Sequence, residues 1–155
     1  MYQAVINFLD SKNWKYQEVE GKEIVHFGIS ANNGNIDCVA DIRAEKKQFI
    51  FLSYCAVQAF QNKIEEVGEF INRVNYGLII GDFEVNYESG KIRFKTSMYY
   101  DDTFPPSPSL IENTLITNLF MMDRYLPGFM GVLYGSISPV AAIKEIEGPD
   151  SLNYN

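Results

Sequence analysis

Apolar and polar positions follow two different periods along this chain, and the switches between them mark its elements. In residues 1–12, Tyr2, Val5, Ile6, Phe8 and Leu9 recur at helical spacing, which predicts a first helix with one inward stripe. Residues 14–19 read as a short extended piece that ends in a turn at Glu20-Gly21-Lys22. From 23 to 30 the period falls to two, with Val25, Phe27 and Ile29 on one face and His26, Gly28 and Ser30 on the other. Asn32-Asn33-Gly34 is then expected to supply the positive-φ residues of a tight hairpin. The partner strand, 35–43, places Ile36, Cys38, Ala40 and Ile42 opposite Asp37, Val39, Asp41 and Arg43.

Residues 48–57 break the alternation by being apolar on both sides. Phe49 and Phe51 make one face, Ile50, Leu52 and Tyr54 the other. Such a strand is expected to be central and covered twice. Helices packed on one face would leave the second set bare, so something else, expected to be a second copy of the chain, must cover it. Residues 63–76 return to the helical period, with Ile64, Val67, Phe70, Ile71 and Val74 inward and Gly77 placed as the C-terminal cap. The stretch 72–83 ends that helix, turns on two glycines and feeds a hairpin. In it, Phe83, Val85 and Tyr87 run toward Glu88-Ser89-Gly90, and Ile92, Phe94, Thr96 and Met98 return.

The proline-rich loop at 103–109 is too short to separate domains. Ser109-Leu110-Ile111-Glu112 matches a capping box. Ile111, Leu115, Leu119, Met122 and Leu126 form the stripe of a long helix that Pro127 is expected to kink or restart. Ser138-Pro139 opens a last short helix that closes at Gly148. The expected architecture is an α+β domain at 1–148 with a C-terminal tail at 149–155. Helices pack on an antiparallel sheet of five to six strands, in the order α-β-β-β-α-β-β-α-α.

Composition narrows the functions this pattern could serve. With 46% hydrophobic and 14% aromatic residues the chain can bury a sizeable core. A net charge of −7 repels phosphate backbones and argues against a nucleic-acid partner. No apolar run approaches the roughly 20 residues that cross a bilayer, so no membrane partner is expected. The first twelve residues lack a basic start followed by an apolar run, so the cytoplasm is the expected compartment. There Cys38 and Cys55 should be buried thiols rather than a disulfide.

Candidate chemistry is sparse. The one histidine, His26, sits mid-strand without a nucleophile or acid at motif spacing. Two cysteines without a CxxC pair and one histidine make a thin zinc set. Asp37 and Asp41 share a strand face, and Asp101-Asp102 adjoin the proline loop. Those carboxylates could meet a metal ion or small molecule, which makes a sensor domain the alternative reading, although a solvated face explains them as well. Gly77, Gly81 and Gly90 lack phosphate-cradling spacing. No catalytic, cofactor-binding or metal residues are assigned, no cofactor is expected, and the chain is read as no enzyme. Tyr76, Tyr87, Tyr99, Tyr100, Tyr125 and Tyr134 lie near element ends, as tyrosine does at protein interfaces.

Asn72-Arg73-Val74-Asn75-Tyr76-Gly77, the Gly81-Asp82-Phe83 hairpin entry and Met122-Asp123-Arg124-Tyr125-Leu126-Pro127-Gly128 together resemble the YbjN domain family. The similarity in element order runs from Asn13-Trp14 to Ser138-Pro139. It implies a fold like that of class I type III secretion chaperones, often dimeric, and a regulatory role in sensory transduction or stress response. It implies a homodimer that binds an unidentified protein or peptide, chaperone-like. It carries no catalytic residue. Asn72, Asn75, Tyr76, Asp123, Arg124 and Tyr125 match the family motifs, with a structural or an interaction role.

Overall fold

A computed structural model describes residues 1–135 and 137–148 of the chain. The tail expected at 149–155 lies outside the described residues. Among the described residues four α-helices and six strands follow one another: α1 (Tyr2–Ser11), β1 (Tyr16–Glu18), β2 (Ile24–Ser30), β3 (Asn35–Arg43), β4 (Gln48–Gln58), α2 (Ile64–Gly77), β5 (Asp82–Val85), β6 (Lys91–Tyr99), α3 (Pro108–Tyr134) and α4 (Pro139–Glu147). The α+β class and the antiparallel sheet are as expected. The strands pair in the order β1-β2-β3-β4-β6-β5, each pair antiparallel. Three or four strands were expected before the second helix and five to six in all; the structure has four and six, because the extended piece at 16–18 pairs with β2 and forms one edge.

Every buried strand side chain lies on a single face of this sheet. Across neighbouring strands the rows are Val25–Ala40–Phe51–Thr96 and Phe27–Cys38–Ser53–Phe94–Phe83. The helices pack on that face: α3 crosses β4 and β6, α1 and α2 dock beside it, and α4 rests on α2 and α3. Rings tie the layers together. Phe8 of α1 meets Trp14 edge-on at 5.6 Å, Trp14 stacks on Phe27 at 5.9 Å, and Phe27 stacks on Phe51 at 5.8 Å. On the other side Phe83 contacts Phe94, Tyr125 and Phe129, and Phe70 of α2 meets Phe129 edge-on at 5.0 Å. Edge and offset contacts of this kind add about 0.5–1.5 kcal/mol each to the area they bury.

The expected double cover of β4 is not present among the described residues. Phe49, Phe51 and Ser53 are buried beneath α3, whereas Ile50, Leu52 and Tyr54 are only half-buried, by their neighbours in the sheet. The strand is central but shielded on one side.

Three helix-end and turn expectations are corrected. The cap of α3 is Ser107, whose Oγ accepts from the Leu110 amide at 3.2 Å, with Pro108 as first helical residue. Ser109 lies inside the helix, and Glu112 instead pairs with Lys12, the residue that follows α1, at 2.7 Å. At α2, Gly77 is the last helical residue and the extended Leu78 is the cap. The left-handed glycine comes later, at Gly81, where φ is +77° and a Cβ would stand 2.6 Å from the Phe94 ring. The 31–34 hairpin loop contains no positive φ at all: four residues span it, closed by Ala31 N–H to Gly34 O at 2.9 Å. Of the two outcomes expected at Pro127, a kink or a restart, the restart does not occur, since α3 runs on through it. The last helix is as expected, with Ser138 Oγ accepting from the Ala141 amide and Pro139 in the first turn.

One polar side chain locks α3 over the sheet. Asn118 is fully buried, and its amide Nδ2 reaches the Phe51 carbonyl at 3.1 Å, the Phe94 carbonyl at 3.3 Å and Thr96 Oγ1 at 3.1 Å. Asn118→Ala should lower unfolding free energy by about 2 kcal/mol, and Thr96→Val by about 1, because buried amide bonds are lost without a replacement. Urea denaturation of the two variants checks the ordering.

Candidate functional site

The motif residues fall into two environments. Asn75, near the end of α2, behaves as a strand partner: its Nδ2 donates to Phe83 O, and Phe83 N–H donates to its Oδ1, both at 2.9 Å. One side chain therefore joins helix and hairpin where backbone cannot. Asp123 of α3 is buried and accepts from the Asn33 amide at 2.7 Å and from Asn32 Nδ2 at 3.2 Å. Its backbone carbonyl is the one that Pro127, lacking an N–H, leaves without a helical donor. Asn33 Nδ2 supplies the missing bond at 3.0 Å. The β2–β3 turn thus docks where the proline opens the helix. Gly34 permits the approach, since a Cβ there would lie 2.7 Å from Leu126 Cδ2.

Tyr125 is buried, its ring against Phe83, and its hydroxyl donates to Glu147 of α4 at 2.5 Å. Burial and that carboxylate push the phenol well above its usual range. Asn72, Tyr76 and Arg124 are exposed; Tyr76 is 79% accessible, and Arg124 lies 5.5 Å from the Tyr125 ring centre. The six residues are not brought together into one cluster. Three hold the fold's joints and three face outward.

Among the described residues no helix packs on the second face of the sheet, and its register can be read row by row. One row runs Gly28–Asp37–Tyr54–Arg93–Glu84, the next Gln17–His26–Val39–Leu52–Lys95–Asp82, the third Ile24–Asp41–Ile50–Ser97. A central apolar strip on β3 and β4 is flanked by charge. On the β5 side, Glu84 is gripped by Arg93 at 2.6 Å and by Lys95, and Lys95 also stands 3.3 Å from Asp82. Burial pushes the Glu84 carboxyl up, but the bonds from Lys95 and Arg93 outweigh it and hold the acid below its ordinary value. An open groove of about 930 Å³ begins on this face, lined by Lys15, His26, Asp37, Tyr54, Ala56 and Lys91 among others, where β4 bulges past Tyr54.

The remaining candidates are placed as follows. His26 is exposed on the open face. Cys38 is buried and Cys55 half-buried, both as free thiols that burial pushes up in pKa. Asp41 pairs with Arg43 at 3.0 Å, Asp102 with Lys47 at 2.6 Å, and Asp101 accepts from the Thr103 amide. Among the described residues no group of three or more His, Cys, Asp or Glu side chains is arranged to hold a metal ion. Nor is any described helix long and apolar enough to cross a membrane. Exposed apolar groups gather at Tyr76, Ile79 and Ile80, and along the outer side of α3 at Ile116, Phe120, Met130 and Tyr134.

The family model for YbjN, described as "Putative bacterial sensory transduction regulator", matches residues 2–130. The chain belongs to the YbjN family. Among solved structures it is similar to that titled "Crystal structure of YbjN, a putative transcription regulator from E. coli", with a TM-score of 0.60 at 9% identity, covering 86% of this chain and 94% of that one. It is also similar to a chain of the ExsC–ExsE complex, with a TM-score of 0.53 at 8% identity, covering 81% and 90%. At such identities the likeness is one of fold. No curated protein matches the sequence.

Within this YbjN fold, sequence reading did not single out the Glu84–Arg93–Lys95 group. The alternation of Arg93 and Lys95 was visible, but only the β5–β6 register shows that Glu84 stands between them. It also assigned Asn32 and Asn33 to turn geometry, whereas their side chains serve Asp123.

Two outcomes are expected. Asp123→Ala should cost about 2–3 kcal/mol by leaving the hairpin amides without their acceptor, while Arg124→Ala should stay within about 0.5; chemical denaturation compares them. Glu84 has a lowered folded pKa, so its contribution is present above the ordinary carboxyl value near 4.5 and fades as pH falls through the folded value. Glu84→Gln should therefore reduce the melting temperature at pH 7, by an amount matching about 0.5–1 kcal/mol, and converge on wild type at acid pH. A melting series from pH 7 to 3 reads the convergence.

Proposed function

We propose that this chain is a non-enzymatic protein-binding module of a regulatory system, chaperone-like and acting as a homodimer, with residues 1–148 as its single domain. The observation that carries the reading is the helix-free sheet face. Ile50, Leu52, Val39 and Tyr54 form an apolar strip that the chain's own helices do not cover. Contiguous apolar surface rimmed by charge is the mark of an interaction site in a protein of this size.

The family's description as a sensory transduction regulator supports a regulatory role over a catalytic one. The ExsC–ExsE complex supports protein binding, since that chain of similar fold is held in a complex with another protein. Asp41 and Asp102 are engaged by Arg43 and Lys47, which favours the binding-module reading over an acidic ligand sensor. The outer side of α3, with Phe120 and Ile116, points away from the sheet and stays accessible in a dimer built on the sheet face. That surface is the place for a polypeptide partner.

Light scattering on the eluting protein at micromolar concentration should give a mass near twice 17.7 kDa. Leu52→Glu should shift it to monomer while the circular-dichroism spectrum stays that of the folded chain, since the side chain is outside the core. A wild-type chain that is monomeric at these concentrations would remove the dimer.

A further inference from the structure

Resting on the dimer reading above, we infer that two copies pack sheet on sheet with their two-fold axis along β4, so that Asp37 of each copy meets Arg93 of the other. Two-fold symmetry requires the face to complement itself. Face-to-face sheets pack with strands within about 30° of parallel or near perpendicular. For the aligned case, two axes in the interface plane are available.

An axis along β4 lays β3 over β6 of the second copy and turns each row onto itself. In the first row, Asp37 then faces Arg93, with Tyr54 on the axis. In the second row, His26 faces Asp82 and Leu52 meets its own copy. In the third, Ile50 meets Ile50. An axis across the strands instead lays β3 on β3 and sets Asp37 against Asp41, carboxylate on carboxylate. Like charges in a desolvated interface oppose that arrangement, whereas the first sets Asp37 against Arg93, with Val39 lying over the stem of Lys95.

Arg93 can serve both neighbours. Its side chain keeps 39% of its accessibility while pairing with Glu84, and a guanidinium carries five N–H donors. Asp37 is exposed on β3 with no basic residue beside it in its row until Arg93, two strands away. The open groove at this end of the face would be closed over by the second copy's β6 and β5.

The test is a charge exchange between chains. D37R places a guanidinium opposite Arg93 of the second copy, and E84R/R93E places a carboxylate opposite Asp37 while keeping an opposite-charge pair between positions 84 and 93 and leaving Lys95 its Asp82 partner. Each variant alone should dimerise more weakly by roughly tenfold or more. Mixed in equal amounts they should form a heterodimer of near wild-type affinity, since both cross-chain pairs are then opposite in charge; sedimentation equilibrium with one chain labelled measures it. Leu52→Cys supplies an independent reading: on the axis it should oxidise to a disulfide-linked dimer, whereas Val39→Cys should not. If wild type dimerises but mixing restores nothing and Val39→Cys links as readily as Leu52→Cys, the axis is wrong while the dimer stands. If Leu52→Glu and both charge variants dimerise as wild type does, the interface lies elsewhere and the inference falls. A monomeric wild type removes the dimer reading itself.

Discussion

The placement of α3 across β4 and β6 is the constraint from which the rest of the architecture follows. At 27 residues this helix spans about 40 Å, more than the sheet's strands do. It presents Ile111, Leu115, Met122 and Phe129 to the sheet, all buried. With that face of β4 and β6 occupied, α1 and α2 can bury their stripes only alongside α3, and α4 only on top. All four helices therefore share one side. The bare second face is a consequence of that choice.

Apolar packing alone would allow α3 to slide along its axis by a turn. Two polar contacts oppose this. Asn118 hangs its amide on carbonyls of both β4 and β6, and Asp123 takes the amides of the β2–β3 turn. A one-turn shift would strand these groups in the interior, where an unmet donor or acceptor costs about 1–3 kcal/mol. The proline at 127 adds a condition of its own, because only Asn33 at this register meets the carbonyl it exposes. Asn75 performs the equivalent task between α2 and the second hairpin. Family-motif positions are thus joints in some cases and open surface in others.

The outer sheet face inverts the logic of the core. Its centre is apolar, yet its flanks are ionic, with Glu84, Arg93, Lys95 and Asp82 forming a network only partly out of water. Paired surface charges of this sort contribute modestly to stability. Their arrangement sets fixed positive and negative charges around the apolar strip.

The sequence alone was enough for the element types, the strand alternation and the class of fold. Each of those is written in local periodicity: Val25, Phe27 and Ile29 must share a face, and Ile64, Val67 and Ile71 must share a stripe. It was also enough to mark 48–57 as a strand whose second face is apolar. It misplaced the α3 cap by two residues because the capping-box match at Ser109–Glu112 was preferred over Ser107-Pro108, the same serine-then-proline start that opens α4. It assigned positive φ to Asn32-Asn33-Gly34 because the turn's demands are local, whereas those asparagines answer a helix some ninety residues away. Which face the helices take, how β5 and β6 align their charges, and what Pro127 leaves open are decided by contacts between distant segments. Periodicity records which residues avoid water, but only tertiary packing determines which surface they meet.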